Sequence, residues 1–311
     1  MTTLSAAPAR PEAPASGAPA RPRRRRRFPV LPWLFLFPAL VLFAVFKFVP
    51  MARALDMSFH EVRPYLGDRW AGGDNYTAVV TDVAFREAVQ HTAILAAGQT
   101  GGALVAGLVL ALLLEGSARH LWFVRTAVFL PTVAALAVVA EVWRVLYYPA
   151  PEGMLNSVLG FFGAGPSAFL NAEGTSLWSV MAVGIWREAP YDMMIFIAGL
   201  AGVDRALYEA AGADGAGPLR RLWHVTFPAL RPVFVILLTL AAIRSLRIFT
   251  EIFLLTNGGP NGSTEVLMTL IYKLGLERNE LGVAAAGSML LLGASVVLTL
   301  AVQALRGRGT R

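Results

Sequence analysis

DRALYEAAGADGAGPLRRLWHVTFPALR, residues 204–231, is a polar interruption in an otherwise apolar chain. Tyr208 to Ala213 is predicted to be helical, because Glu and Ala are strong helix formers. Gly215 and Gly217 allow a turn at positive φ, and Pro218 is unsuited to extending that helix. A second short amphipathic helix is expected from Leu219 to Phe227, with Leu222, Val225 and Trp223 toward apolar surroundings. Pro228 and Pro232 are expected to break the chain before the next hydrophobic run.

What flanks this stretch decides the class. Hydrophobic residues make up 56% of the 311, charged residues 15%, and the mean hydropathy is +0.58. A water-soluble fold cannot cover so much apolar surface with so few charges. An all-α integral membrane protein is expected. Segments 30–49, 91–114, 122–146, 176–201, 232–256 and 284–305 are each long enough for a hydrocarbon core, which needs roughly 20 residues. They predict six transmembrane helices. The chain then divides into a disordered basic tail (1–29), the first helix with an outer loop (30–90), a core of five spans with the inner loop 202–231 (91–305), and a short tail (306–311). Asn75 to His91 is expected to form a short helix at the outer surface, and 149–175 and 257–283 to be turns and irregular structure.

Arg23 to Arg27 before the first apolar run also describes a signal peptide, but that run is about twice a typical secretory core and no small-residue cleavage site ends it. It is read as an uncleaved span. With the N-terminus in the cytoplasm, 16 Lys and Arg fall in inner segments and 6 in outer ones. Both termini are therefore placed on the cytoplasmic side of the cytoplasmic membrane. The net charge of +7 is a topology signal on this reading, and no nucleic-acid partner is expected. Trp122, Trp223, Trp143, Tyr147 and Tyr148 fall near span ends, as interfacial belts do.

The chemistry that is missing narrows the function. There is no cysteine, no GxxxxGK[ST] loop, no HExxH and no GxSxG. His60, His91, His120 and His224 have no metal-ligand spacing, and the outer carboxylates are scattered. No catalytic residue, metal or bound cofactor is expected. The spans do carry charge: Trp186-Arg187-Glu188 and Asp192 in the fourth, Arg244, Arg247 and Glu251 in the fifth. Each such group costs about 2.5–3.5 kcal/mol near a span's centre, so each should face protein or water. Arg244, Arg247 and Glu251 are spaced to share one helix face, and Glu188 or Asp192 is placed to meet Arg244 or Arg247. The cluster is either part of a polar pathway, with Trp186 as a stacking surface, or a structural ion-pair network.

The spacing in 204–231 reads Glu209-Ala210-Ala211, three residues, Gly215, nine residues, Val225, one residue, Phe227-Pro228. It resembles the EAA loop in permease subunits of binding-protein-dependent carbohydrate importers driven by ATP-binding-cassette ATPases. Val for the usual Ile and Phe for the usual Leu are mild departures. The resemblance continues in order along the chain through Asn75-Tyr76, Arg125 to Pro131, Trp143, Gly153, Asn156, Trp186, Ala198-Gly199-Leu200 and Leu255 to Pro260 with Thr264. It implies the type I permease architecture. It also implies a second related permease, two ATPases that carry ATP and Mg, an extracytoplasmic substrate-binding protein, and surrounding lipid. ATPase coupling is then expected at Glu209, Ala210, Ala211, Asp214 and Gly215, where small residues Ala210 to Ala213 let the helix seat in a partner cleft. An ion-driven secondary transporter and a membrane-embedded enzyme are the alternatives. The first leaves the EAA loop unexplained, and the second lacks a catalytic pattern.

Overall fold

The computed structural model describes residues 30–308, so the expected disordered tail over 1–29 lies outside the described residues, as do 309–311. The chain divides into two units, 1–49 and 50–311. The described part of the first is α1 (Val30–Phe43), which passes into a π-turn at Ala44–Phe48. Lys47 places its ammonium 5.7 Å from the Phe43 ring centroid, which gives the charge a local partner.

The second unit is built on helices from the apolar runs. It opens with α2 (Val49–Met57), a small hairpin pairing His60–Glu61 with Arg69–Trp70, and α3 (Asp74–Thr81). Asn75 is buried and donates from Nδ2 to the carbonyls of Ser58 and His60, 3.0 Å each, tying the hairpin to α3. Asp82 then caps α4 (Val83–Leu114), accepting from the Ala84 amide at 2.9 Å. The span expected at 91 therefore starts eight residues earlier, and the surface helix ends at Thr81.

The third expected span, 122–146, is two helices. α5 (Arg119–Val133) and α6 (Leu136–Leu146) meet at 98°. Ala134 and Ala135 are extended, and the Thr132 hydroxyl donates to the Arg187 carbonyl at 3.2 Å. α7 (Met154–Phe161) lies in the following loop, contrary to the irregular structure expected there. Buried Asn156 organises that loop. Its amide donates to the carbonyls of Pro149, Ala150 and Ser167 at 3.0, 3.1 and 3.1 Å, and its Oδ1 accepts from the Ser167 amide at 2.8 Å.

α8 (Glu173–Ala201) is 29 residues long, about 43 Å at 1.5 Å per residue. Gly107 sets how closely it approaches α4. A Cβ at that position would stand 2.8 Å from the Asp192 Cβ and 2.9 Å from the Ala189 carbonyl oxygen. Small residues at such crossings let backbones approach where lipid supplies no hydrophobic drive. The interface carries two apolar clusters. One gathers Leu95, Val139, Val180, Val183 and Ile252, the other Leu104, Leu108, Met193, Phe196, Leu200 and Leu237.

After the polar loop, α10 (Pro218–Arg221) continues through a π-turn at Leu222–Thr226 into α11 (Phe227–Ser245). Pro228 and Pro232 do not break the chain. Pro228 occupies the first turn of α11, and the wider Phe227-to-Leu222 hydrogen bond absorbs the local misfit before it. The break comes later. α11 ends at Ser245, residues 246–249 are irregular, and α12 (Thr250–Leu255) resumes. The fifth span expected as one helix over 232–256 is thus interrupted. Phe249 is held by Phe253 at 5.2 Å and Tyr272 at 5.5 Å, between ring centroids.

The turn 257–266 has Asn257, Gly258, Asn261 and Gly262 at positive φ, and Lys273 pairs with the buried Glu265 across it. α13 (Leu267–Tyr272), another helix in a segment expected to be irregular, and α14 (Leu281–Arg308) complete the described chain. Among the described residues four helices are long and apolar enough to cross a membrane, Trp33–Met57, Val83–Leu114, Pro218–Ser245 and Leu281–Ala304. The bent α5–α6 pair makes a fifth if it is one span. α8 is long enough, but Arg187, Glu188 and Asp192 make it less apolar than the rest.

Candidate functional site

Two sites emerge, one in the polar loop and one among the charges expected within the spans. In the loop, α9 (Arg205–Ala213) is capped by Asp204, whose carboxylate accepts from the Ala206 amide at 3.0 Å. Its far end closes in a Schellman turn. The Ala216 amide donates to the Ala211 carbonyl at 2.9 Å and the Gly215 amide to the Gly212 carbonyl at 3.0 Å. That geometry needs Gly215 at φ +74°. Arg221 braces the turn from below, donating from Nε to the Ala216 carbonyl at 2.8 Å. Its guanidinium lies over Gly212, where a Cβ would be 3.0 Å from Nη2. The hydroxyls of Tyr208 and Thr226 meet at 3.0 Å and join α9 to the π-turn.

These contacts orient α9. Glu209, Ala210, Ala213 and Asp214 are exposed, so an acidic, small-residue face is offered outward. Ala211 and Gly212 are half-buried against the chain itself. Of Ala210 to Ala213, expected together to seat in a partner, only Ala210 and Ala213 are exposed, and Arg221 lies over Gly212.

The second site joins α8, α11 and α12 beside the break at 246–249. Arg187 donates from Nη1 to Glu251 Oε1 at 2.9 Å. Arg244 Nη2 stands 3.8 Å from Asp192 Oδ1, and its guanidinium carbon lies 5.3 Å from the centroid of the Tyr191 ring. Asp192 is buried. Glu188, Gln99 and Arg244 line a residual void of about 10 Å³ beside this pair. Trp186 meets Trp143 edge-on at 5.4 Å, and Trp143 meets Tyr147 at 5.1 Å. Three buried polar atoms of the cluster lack a protein partner: Arg187 Nε, Arg244 Nε and Asp192 Oδ1. Unpaired buried groups are costly, and irregular backbone at membrane depth is tolerated where it is buried in protein or lines a cavity.

Of the charges picked from sequence, Arg187, Glu188, Asp192, Arg244 and Glu251 come together, while Trp186 packs on Trp143. Arg247 does not. The expected shared face fails because α11 ends before it, and its side chain lines a separate recess with Ile243, Leu292 and Ser295. Tyr147, expected in an interfacial belt, packs inward on the protein. It is buried, with its hydroxyl donating to the Ser179 carbonyl at 3.0 Å, and Trp143 packs on the same core. Gln99, Thr132 and Tyr191 were missed. Gln99 had a readable signal, as a polar side chain inside an apolar span.

The chain matches the family model described as "Binding-protein-dependent transport system inner membrane component" over residues 28–308. It is 30% identical over 276 residues to the "Probable ABC transporter permease protein YurN" of Bacillus subtilis (strain 168), covering 87% of this chain and 94% of that one. It is 32% identical over 271 residues to the "sn-glycerol-3-phosphate transport system permease protein UgpA" of Salmonella choleraesuis (strain SC-B67), covering 86% and 91%. Among solved structures it is similar to a chain of a bacterial ABC transporter involved in the import of the acidic polysaccharide alginate. That match has a TM-score of 0.79 and 26% identity, covering 90% of this chain and 96% of that one.

Proposed function

The chain belongs to the family of binding-protein-dependent transport system inner membrane components, and from that premise we propose that it is one of two related permeases in an ATP-driven sugar or oligosaccharide importer. It is a multi-pass protein of the cytoplasmic membrane and a transport component rather than an enzyme. In this reading it crosses six times, with α5–α6 as one broken span, α8 as a charged one, and both termini inside. An external binding protein delivers substrate at the outer turns; the similar alginate importer has been solved in complex with its alginate-pentasaccharide-bound periplasmic protein. Two ATPases hold ATP and Mg, and one docks on α9.

One observation carries the coupling role. α9 presents Glu209 and Asp214 outward on a rigid turn braced by Arg221. A permease without a nucleotide site must receive work through a mechanical contact, and Glu209, Ala210, Asp214 and the Gly215 turn form that contact. Closure of the ATPases then biases the two access states. Affinity purification in mild detergent tests this. The ATPase and the second permease are expected to co-purify with the wild type, and Glu209→Lys to lose the ATPase. ATPase retention in Glu209→Lys would refute the role of that carboxylate.

Trp186, Arg187, Glu188, Asp192, Arg244 and Glu251 are the proposed substrate path, supported by their unpaired polar atoms beside the break at 246–249. Arg244→Leu with unchanged uptake and normal assembly would leave Arg244 a purely structural role.

A further inference from the structure

We propose that the recess beside α9 is a phosphate-binding site, one that takes the headgroup of an anionic phospholipid or a soluble phosphate. The recess holds about 890 Å³, within the range of small-ligand sites. It lies where the polar loop meets the ends of α4 and α8, and the guanidiniums of Arg125, Arg205 and Arg221 line it. Glu115 is the one carboxylate among its described lining residues. Among the described residues, none of the three arginines forms an ion pair with a carboxylate. The cluster of α8, α11 and α12 is the reverse case, since Arg187 and Arg244 each face an acid there.

Two of the three guanidiniums are aimed by the backbone and keep free edges. Arg125 donates from Nε to the Leu114 carbonyl at 2.8 Å and from Nη2 to the Gly116 carbonyl at 2.6 Å, which leaves Nη1 uncommitted. Arg221 donates from Nε to the Ala216 carbonyl at 2.8 Å, which leaves both Nη groups. Arg205 is exposed at the first residue of α9 and completes the set. Carbonyls are neutral, so this anchoring fixes direction without cancelling charge. Phosphate oxygens only accept, and they match N–H donors held in a fixed fork. Leu112, Ile197 and Leu200 add an apolar wall for the carbon part of a phosphoester. Basic pockets between span ends suit acidic headgroups for the same reasons. Tyr208 lines the recess while Glu209, Ala210, Ala213 and Asp214 are exposed, so a bound phosphate sits behind the proposed ATPase contact. The cytoplasmic location of the recess rests on that reading of α9; the site itself does not.

The test uses the purified importer, both permeases with their ATPases, in nanodiscs, with the non-hydrolysable analogue AMP-PNP filling the nucleotide sites. One arm holds equal phosphatidylglycerol and phosphatidylcholine, and native mass spectrometry counts the phospholipid that the released complex keeps. The other holds phosphatidylcholine alone and titrates inorganic phosphate by calorimetry. Preferential retention of phosphatidylglycerol is expected if the source is lipid, and saturable phosphate binding if it is soluble. Neither signal in either arm overturns the proposal. In whichever arm binds, Arg205→Gln is expected to weaken binding about fivefold. Arg220→Gln, an exposed arginine outside the recess, is expected to match the wild type. Wild-type binding by Arg205→Gln in an assembled complex overturns the site, and so does equal weakening by Arg220→Gln, which would mean diffuse basic attraction. Failure of the importer reading looks different, because the ATPases would then be missing from the purified complex.

Discussion

Replacing Gly215 isolates the backbone contribution to the proposed coupling. Gly215 sits at φ +74°, and a Cβ built there meets nothing within 4 Å. Its substitution therefore adds no collision, and the cost is conformational. A non-glycine residue held in the left-handed region costs about 1–2 kcal/mol, more for a β-branched residue and least for Asn. Either the strain stays in the free loop and lowers stability, or the loop relaxes and docking must restore the turn. In the second case the ATPase dissociation constant rises by about 5- to 30-fold at 1–2 kcal/mol. Gly215→Val is expected near the top of that range, Gly215→Ala below it, and Gly215→Asn within about twofold of wild type. Titrating detergent-solubilised permease pair with purified ATPase gives the constants, with melting temperatures to read strain in the free protein. Wild-type affinity and stability in Gly215→Val would refute the reasoning, and so would an Asn variant as weak as Val.

Gly107→Leu puts side-chain atoms where the Asp192 Cβ and the Ala189 carbonyl already stand. Overpacking of this kind costs about 1–3 kcal/mol, and a lower melting temperature in detergent, smaller in Gly107→Ala, checks it. Arg187→Gln strands the Glu251 carboxylate, which is 13% exposed. The single variant is expected to lose about 3–5 kcal/mol and Arg187→Gln/Glu251→Gln much less, so a double variant no more stable than the single contradicts the pairing. Asn156→Ala removes the amide that gathers the carbonyls of Pro149, Ala150 and Ser167. Faster hydrogen exchange across 149–168 is expected, with about 1–3 kcal/mol of local protection lost.

The helical membrane class and the order of the family's motifs were legible along the chain, because apolar runs and spaced motifs are local properties. The same holds for α9 and its glycine exit, since helix propensity and positive φ belong to single residues. The break at 246–249 had no proline or glycine to announce it. It depends on Phe249 finding Phe253 and Tyr272, and Glu251 finding Arg187, across elements distant in sequence. That break separates Arg247 from Arg244, which helical spacing alone had placed on one face. The partner of each charge was likewise a tertiary outcome. Sequence showed that intramembrane charges needed partners, and only the packing of α8 against α11 and α12 assigned Asp192 to Arg244 and Glu251 to Arg187. Burial is a sum over neighbours from the whole chain, so it placed Tyr147 in the core and turned Ala211 inward where local pattern pointed elsewhere.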